Sequence, residues 1–281
     1  VLTDLDRIVV AARERRPVVR ALHRLLGAEV VSDGHLPIWA AKRTTLRAGA
    51  GEIEVLSPKG VGAVADFIGR RGPGIFAIGF AAAELEKFRS HLEAQAVFFE
   101  EAAGQLFLTS DQGVDLPGLN LVVTPTQVRA PIGLLQRFCG ATFLHRFADP
   151  DRLLRILGAR PSQISGVDQR VPGFAGNVIR VGHGSHLAIL APWGWDGSIA
   201  RCFYQRGPRI YLVSAMTEQL AVIRERLASL GRALPIPSPD GSLVLPPRLL
   251  GGVRLALLPS EASCSRFDIA SSVLATAGAS D

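Results

Sequence analysis

The chain has 281 residues, 48% of them hydrophobic and 20% charged, with a formal net charge of +6. That balance excludes a disordered polymer, and no apolar run reaches the roughly 18 to 20 residues a membrane helix needs. The basic residues are nearly all arginine, without a long basic run or interleaved aromatics. The expected partner is an anionic small molecule, with no nucleic acid and no membrane. Cys139, Cys202 and Cys264 are too scattered for a disulfide framework or a zinc site. They suit a reducing compartment, and with no signal peptide visible a cytoplasmic protein is expected.

Residues 5–12, LDRIVVAA, are rich in β-branched side chains and read as a strand. Residues 16–26 carry Val18, Val19, Leu22, Leu25 and Leu26 at helical spacing, and Gly27 stops that helix. His35 falls in a loop. Residues 39–48 and 52–57 read as a hairpin turning at Gly49-Ala50-Gly51. After a further loop, residues 75–81 form a strand and 84–94 a helix with Leu85, Phe88 and Leu92 on one side. Three strands follow at 97–100, 105–109 and 119–124.

The second half follows the same order. A strand is expected over 138–147 and a short helix over 151–157, ended by Gly158. Strands at 177–181 and 186–190 pair around Gly182-His183-Gly184-Ser185, and a helix over 218–230 closes at Gly231. Trp193-Gly194-Trp195 forms an aromatic loop suited to a lid or an interface.

The two halves are copies. Gly72-Pro73-Gly74-Ile75-Phe76, with Leu85, Arg89 and Leu92, returns 135 residues later as Gly207-Pro208-Arg209-Ile210-Tyr211, with Leu220, Arg224 and Leu227. LNLVVTP at 119–125 returns as VRLALLP at 253–259. A period this long is a domain rather than a solenoid unit. Each copy is itself two βαβββ modules.

Paired βαβββ modules resemble the plan of the vicinal oxygen chelate superfamily, which includes glyoxalase I, methylmalonyl-CoA epimerase, extradiol dioxygenases and bleomycin-resistance proteins. LDRIVVAA resembles its opening strand. GEIEVLSP at 51–58 resembles its fourth strand, where a metal-binding Glu stands, and residues 72–92 resemble the segment that opens its second module. The resemblance implies an α+β fold of four βαβββ modules, with curved mixed sheets and outer helices. It implies tandem domains over 1–126 and 127–264 and a tail over 265–281.

In that superfamily a divalent ion is held by side chains from the first and last strands of each module. The matching positions in the first copy are Arg7, Glu54, Phe76 or Ala77, and Val122; in the second they are about Phe138, Ala188, Tyr211 or Leu212, and Ala256. Only Glu54 is of a metal-binding type, so no metal and no other cofactor is expected. His183 and His186, three apart, should point to opposite faces of a solvated hairpin.

Alternation along the strands turns Ile8, Val10, Ile53 and Val55 outward, leaving Arg7, Val9, Glu52 and Glu54 inward. Gln105, Phe107, Thr109, Asn120, Val122 and Thr124 are likewise inward, and Arg43, Thr45 and Arg47 share one face with Trp39. This face is more polar than its counterpart in the second copy. Glu54 is the candidate general base and Arg7 the group beside it that stabilises substrate charge. His35, Trp39, Arg43, Phe76, Phe107, Thr109 and Asn120 are the candidate substrate-binding residues.

The expected activity is a metal-independent isomerase or lyase that abstracts a proton next to a carbonyl of a small, anionic molecule. The alternative is a non-catalytic binding or sequestration protein, with Arg7–Glu54 an internal ion pair in the metal's place. Homodimer formation is compatible with either.

Overall fold

The computed structural model describes residues 2–110, 114, 116–146, 150–166, 174–194, 197–231 and 241–259. The first repeat opens with β1 (Leu2–Ala11), α1 (Arg15–Leu26), β2 (Glu29–Leu36), a 3-10 turn at Pro37–Trp39, β3 (Ala41–Ala48) and β4 (Gly51–Pro58). After α2 (Ala63–Arg71) come β5 (Gly74–Ala82), α3 (Leu85–Ala94), β6 (Glu100–Ala102), β7 (Gln105–Leu108) and β8 (Asn120–Pro125). The second repeat holds β9 (Arg137–Leu144), α4 (Asp151–Leu157), β10 (Ile164–Gly166), β11 (Phe174–Val181) and β12 (Ser185–Pro192). It continues with α5 (Ser198–Arg206), β13 (Arg209–Met216), α6 (Leu220–Ser229), β14 (Leu243–Leu245) and β15 (Leu255–Leu258).

Each repeat forms one curled, mixed sheet. The strand orders are β2-β3-β4-β1-β5-β8-β7-β6 and β10-β11-β12-β9-β13-β15-β14. The orders correspond strand for strand, except that β6 has no counterpart among the described residues. The architecture is the α+β doubling of βαβββ modules that the sequence implies. None of the described helices is long and apolar enough to cross a membrane.

The chain falls into two compact units that cut across the repeats. One comprises Val1–Asp6, Phe76–Val128 and Cys139–Tyr211; the other Arg7–Ile75, Arg129–Phe138 and Leu212–Asp281. In the second of these, Val18, Leu22, Leu25 and Leu26 on one stripe of α1 are buried, and α1 packs on β3, β4 and α6. Burying each such leucine is worth about 1.5–3 kcal/mol. Gly27, at φ +68, takes the left-handed cap that ends α1 and returns its N–H to His23 O at 2.9 Å. The segment after the first repeat is tied to the β3–β4 turn. Gly49 N donates to Ile132 O at 2.7 Å, Ile132 N to Gly49 O at 3.1 Å, and Ala50 N to Gln136 O at 2.7 Å.

In the first unit, β5 is buried along its whole length and pairs in parallel with β8. Leu5 N donates to Ser185 Oγ at 2.9 Å, and Thr124 Oγ1 donates to Asp6 Oδ2 at 3.0 Å. The hairpin β11–β12 pairs through β12 with β9.

Several expectations need correction. His35 is not in a loop; it lies on β2, a strand the sequence reading passes over. Trp39 is not on β3; it ends the 3-10 turn ahead of it and is 1% exposed. The strand expected at 97–100 starts at Glu100. α2 replaces the loop expected there, and α5 lies where no element was expected. His186 is not solvated but buried. Phe147, Trp195, Cys264 and the tail over 265–281 lie outside the described residues.

Candidate functional site

Strand register builds one polar face on the unit that carries β3, β4 and the part of β1 from Arg7 onward. In the parallel pair β1–β4, Arg7 lies opposite Glu52 and Val9 opposite Glu54. In the antiparallel pair β3–β4, Arg43 lies opposite Leu56, Thr45 opposite Glu54 and Arg47 opposite Glu52. Directly opposed residues share a face, so Arg7, Glu52, Glu54, Arg43, Thr45 and Arg47 stand together, as alternation implied.

The charges on this face form an alternating chain. Arg7 Nη1 lies 2.5 Å from Glu54 Oε1, and Arg7 Nη2 lies 2.9 Å from Glu52 Oε2. Arg43 Nη1 reaches the same Glu54 oxygen at 3.6 Å, and Arg129 Nη2 reaches Glu52 Oε1 at 3.0 Å. The central side chains are 3% (Arg7) and 2% (Glu54) exposed, while Arg43 at the end is 22% exposed. A guanidinium can bridge two carboxylates because its N–H groups form a planar fork. Water is largely excluded from the middle of the chain, so losing either central partner would strand a buried charge.

The other candidates are placed differently. His35 lies opposite Lys42, and Lys42 opposite Ser57, so its side of the sheet is not that of Glu54. Phe76 precedes Ala77, which lies opposite Asn120, so alternation turns Phe76 to the other side from Asn120. Phe107 lies opposite Val122, shares a face with Asn120, and is 1% exposed. Thr109 follows the end of β7 and is half-buried. The amide of Asn120 is engaged at both ends: its Nδ2 donates to Phe76 O at 3.0 Å and its Oδ1 accepts from Ser110 N at 2.9 Å. That side chain ties β5 and the end of β7 to β8. Arg129, absent from the sequence expectations, joins the face through Glu52 from 77 residues away; no local motif marks it.

The residues at the superfamily's metal positions do not fit a divalent ion. Arg7 brings a cation where a neutral or anionic donor is required, and Phe76, Ala77 and Val122 bring no donor. Glu54 already accepts from Arg7. Among the described residues no group of three or more His, Cys, Asp and Glu comes together in a way that could hold a metal.

The second repeat replaces the charges with a ring. β9 and β12 pair with Gly140 opposite His186 and Thr142 opposite Ala188. By register the counterpart of Arg7 is therefore Gly140 rather than Phe138, and His186 takes the place of Glu52.

No family model matches the chain, and no curated protein matches it in sequence. In structure it is similar to a triple mutant of 4-hydroxymandelate synthase from Streptomyces coelicolor, with a TM-score of 0.71, 12% identity and 99% of each chain covered. It is also similar to a xylose isomerase-like TIM barrel/4-hydroxyphenylpyruvate dioxygenase fusion protein. There the TM-score is 0.63 at 12% identity, covering 92% of this chain and 49% of that one. Cover of nearly the whole of both chains in the first comparison, together with two corresponding sheets of paired modules, shows that this chain has the fold of the vicinal oxygen chelate superfamily.

Proposed function

We propose that the chain is a glyoxalase-fold enzyme that acts on a small organic anion as an isomerase or lyase, without a metal of the superfamily's type. The observation behind this reading is the shared oxygen of Glu54, held by buried Arg7 at 2.5 Å and approached by half-buried Arg43 at 3.6 Å. Arg43 keeps spare N–H donors and partial access to solvent. A substrate carboxylate or carbonyl oxygen is a better partner for it than an oxygen Arg7 already holds. Transfer of Arg43 to the substrate leaves Glu54 with one fewer cation and exposes it to the bound molecule.

Glu54 then takes the proton from the carbon beside the carbonyl. The C–H electron pair becomes a carbon–carbon double bond and the carbonyl π pair moves onto the oxygen, where the guanidinium of Arg43 stabilises the charge. Where that carbon bears a hydroxyl, return of the proton by Glu54 on the same face to the former carbonyl carbon, with the hydroxyl proton passing to the former carbonyl oxygen, gives an isomer. Expulsion of a leaving group from the next carbon gives a lyase product. The structural neighbours are named as a synthase and a dioxygenase, which supports an enzyme without supplying its reaction.

Binding without turnover is the second reading, favoured by the tightness of the Arg7–Glu54 pair. Accepting a proton at Oε1 requires that hydrogen bond to weaken. Incubation in D2O with 2-oxo acids, acyl thioesters and hydroxyaryl ketones separates the two. The enzyme reading expects deuterium at the carbon next to the carbonyl, lost in Glu54→Gln and in Arg43→Ala. Ligand-dependent thermal stabilisation with no exchange, unchanged in Glu54→Gln, establishes the binding reading instead.

A further inference from the structure

We infer that the ligand of this face carries two anionic groups, a small dicarboxylate, with one group for Arg43 and the other for Arg47. The inference rests on the anion-binding reading above and adds the ligand's charge and span.

Arg43, Thr45 and Arg47 occupy alternate positions of β3 and face the same side. The residues directly opposite Arg47 are Glu52 on β4 and the exposed Glu29 on β2. Glu52, however, is taken by Arg7 at 2.9 Å and by Arg129 at 3.0 Å. Arg47 turns instead to the main chain, where Nη2 donates to Ala130 O at 2.7 Å. Its Nε is buried and has no hydrogen-bond partner. Arg43 is scarcely better served, since its one carboxylate contact is at 3.6 Å, to an oxygen that Arg7 holds at 2.5 Å.

Two guanidinium groups on one strand face therefore lack a carboxylate of their own. Both are half-buried, where an uncompensated charge is costly. A ligand anion at each relieves that cost. The two Cα atoms, four residues apart on an extended strand, are separated by about 13 Å. Thr45 stands between them on the same face. A monocarboxylate satisfies one arginine; a short dicarboxylate offers one carboxylate to each.

The test is titration of the purified full chain with propionate, succinate and glutarate at fixed ionic strength, read by calorimetry and thermal shift. Succinate or glutarate should bind at least about tenfold more tightly than propionate, the gain expected of one added charge-assisted pair. Arg47→Ala should bring the dicarboxylates down to the level of propionate, and Arg43→Ala should weaken all three. Arg47→Gln keeps a donor for the Ala130 carbonyl while removing the charge, and should lose the same advantage if Arg47→Ala fails to fold. Equal binding of mono- and dicarboxylates, or an advantage that survives Arg47→Gln, overturns the two-anion inference and leaves the anion site standing. Absence of binding by all three overturns both.

Discussion

His186 lies against Gly140 so closely that a Cβ on Gly140 would fall 2.1 Å from His186 Nε2. The second repeat thus fills with one ring the place where the first keeps the Arg7–Glu52 ion pair. Gly140→Ala should destabilise the protein by about 1–3 kcal/mol, the usual cost of overpacking a core. His186→Ala in the same chain should recover part of that loss. Urea denaturation of the two single variants and the double variant checks it, and additive effects would show that the two residues do not press on each other.

The Arg7–Glu54 pair should be costly to break and cheaper to replace. Arg7→Ala leaves a buried carboxylate and should cost about 3–5 kcal/mol. The double change Arg7→Met, Glu54→Leu should cost much less, because both charges go together. Equilibrium unfolding midpoints decide this, and a single variant as stable as the double would contradict it.

Asn120 should prove a structural residue. Asn120→Ala strips the acceptor from the buried Ser110 N–H and the donor from Phe76 O, a loss of about 1–3 kcal/mol. Dicarboxylate affinity per folded molecule should stay within about twofold of the unaltered chain, a change of under about 0.5 kcal/mol. Calorimetry at a temperature where both proteins are folded checks the second half.

Acid should weaken the tie between α1 and the β2–β3 hairpin. The Arg15 guanidinium, with help from the Thr44 hydroxyl, holds the Asp33 carboxyl below its usual range. A carboxyl with a lowered folded value adds stability above its unfolded value, near 3.9, and loses it as pH falls through the folded one. Asp33→Asn should therefore flatten part of the stability loss below about pH 4 and change little at pH 7 beyond the lost pair. The side chain is 64% exposed, so the effect should be small and should shrink in salt. A series of melting temperatures from pH 3 to 7 at two salt concentrations measures it.

Elemental analysis of protein purified without chelator should find no stoichiometric zinc, iron, nickel or manganese. The expectation follows from the chemistry of Arg7, Phe76 and Val122 at the superfamily's metal positions. About one ion per chain would mean that donors other than those positions build a site.

The sequence by itself determined the duplication, the order of most strands, and that Arg7, Glu52 and Glu54 stand on alternate positions of one face, as do Arg43, Thr45 and Arg47. These follow from local periodicity: β4 alternates cleanly, and α1 repeats its apolar residues every three or four positions, so each announces its buried face. β2 was hidden because its residues are exposed as far as His35 and a register shift between Val30 and Ser32 breaks the alternation. α2 was hidden because nine residues with only Val64, Phe67 and Ile68 buried give a weak helical period. Only tertiary structure decided the partners. Arg129 meets Glu52, Asn120 spends its amide on the main chain, Arg47 turns away from the carboxylate opposite it, and His186 claims the space above Gly140. Each of these depends on which side chains share a space in the folded chain, where residues far apart in sequence meet without any local pattern to mark them.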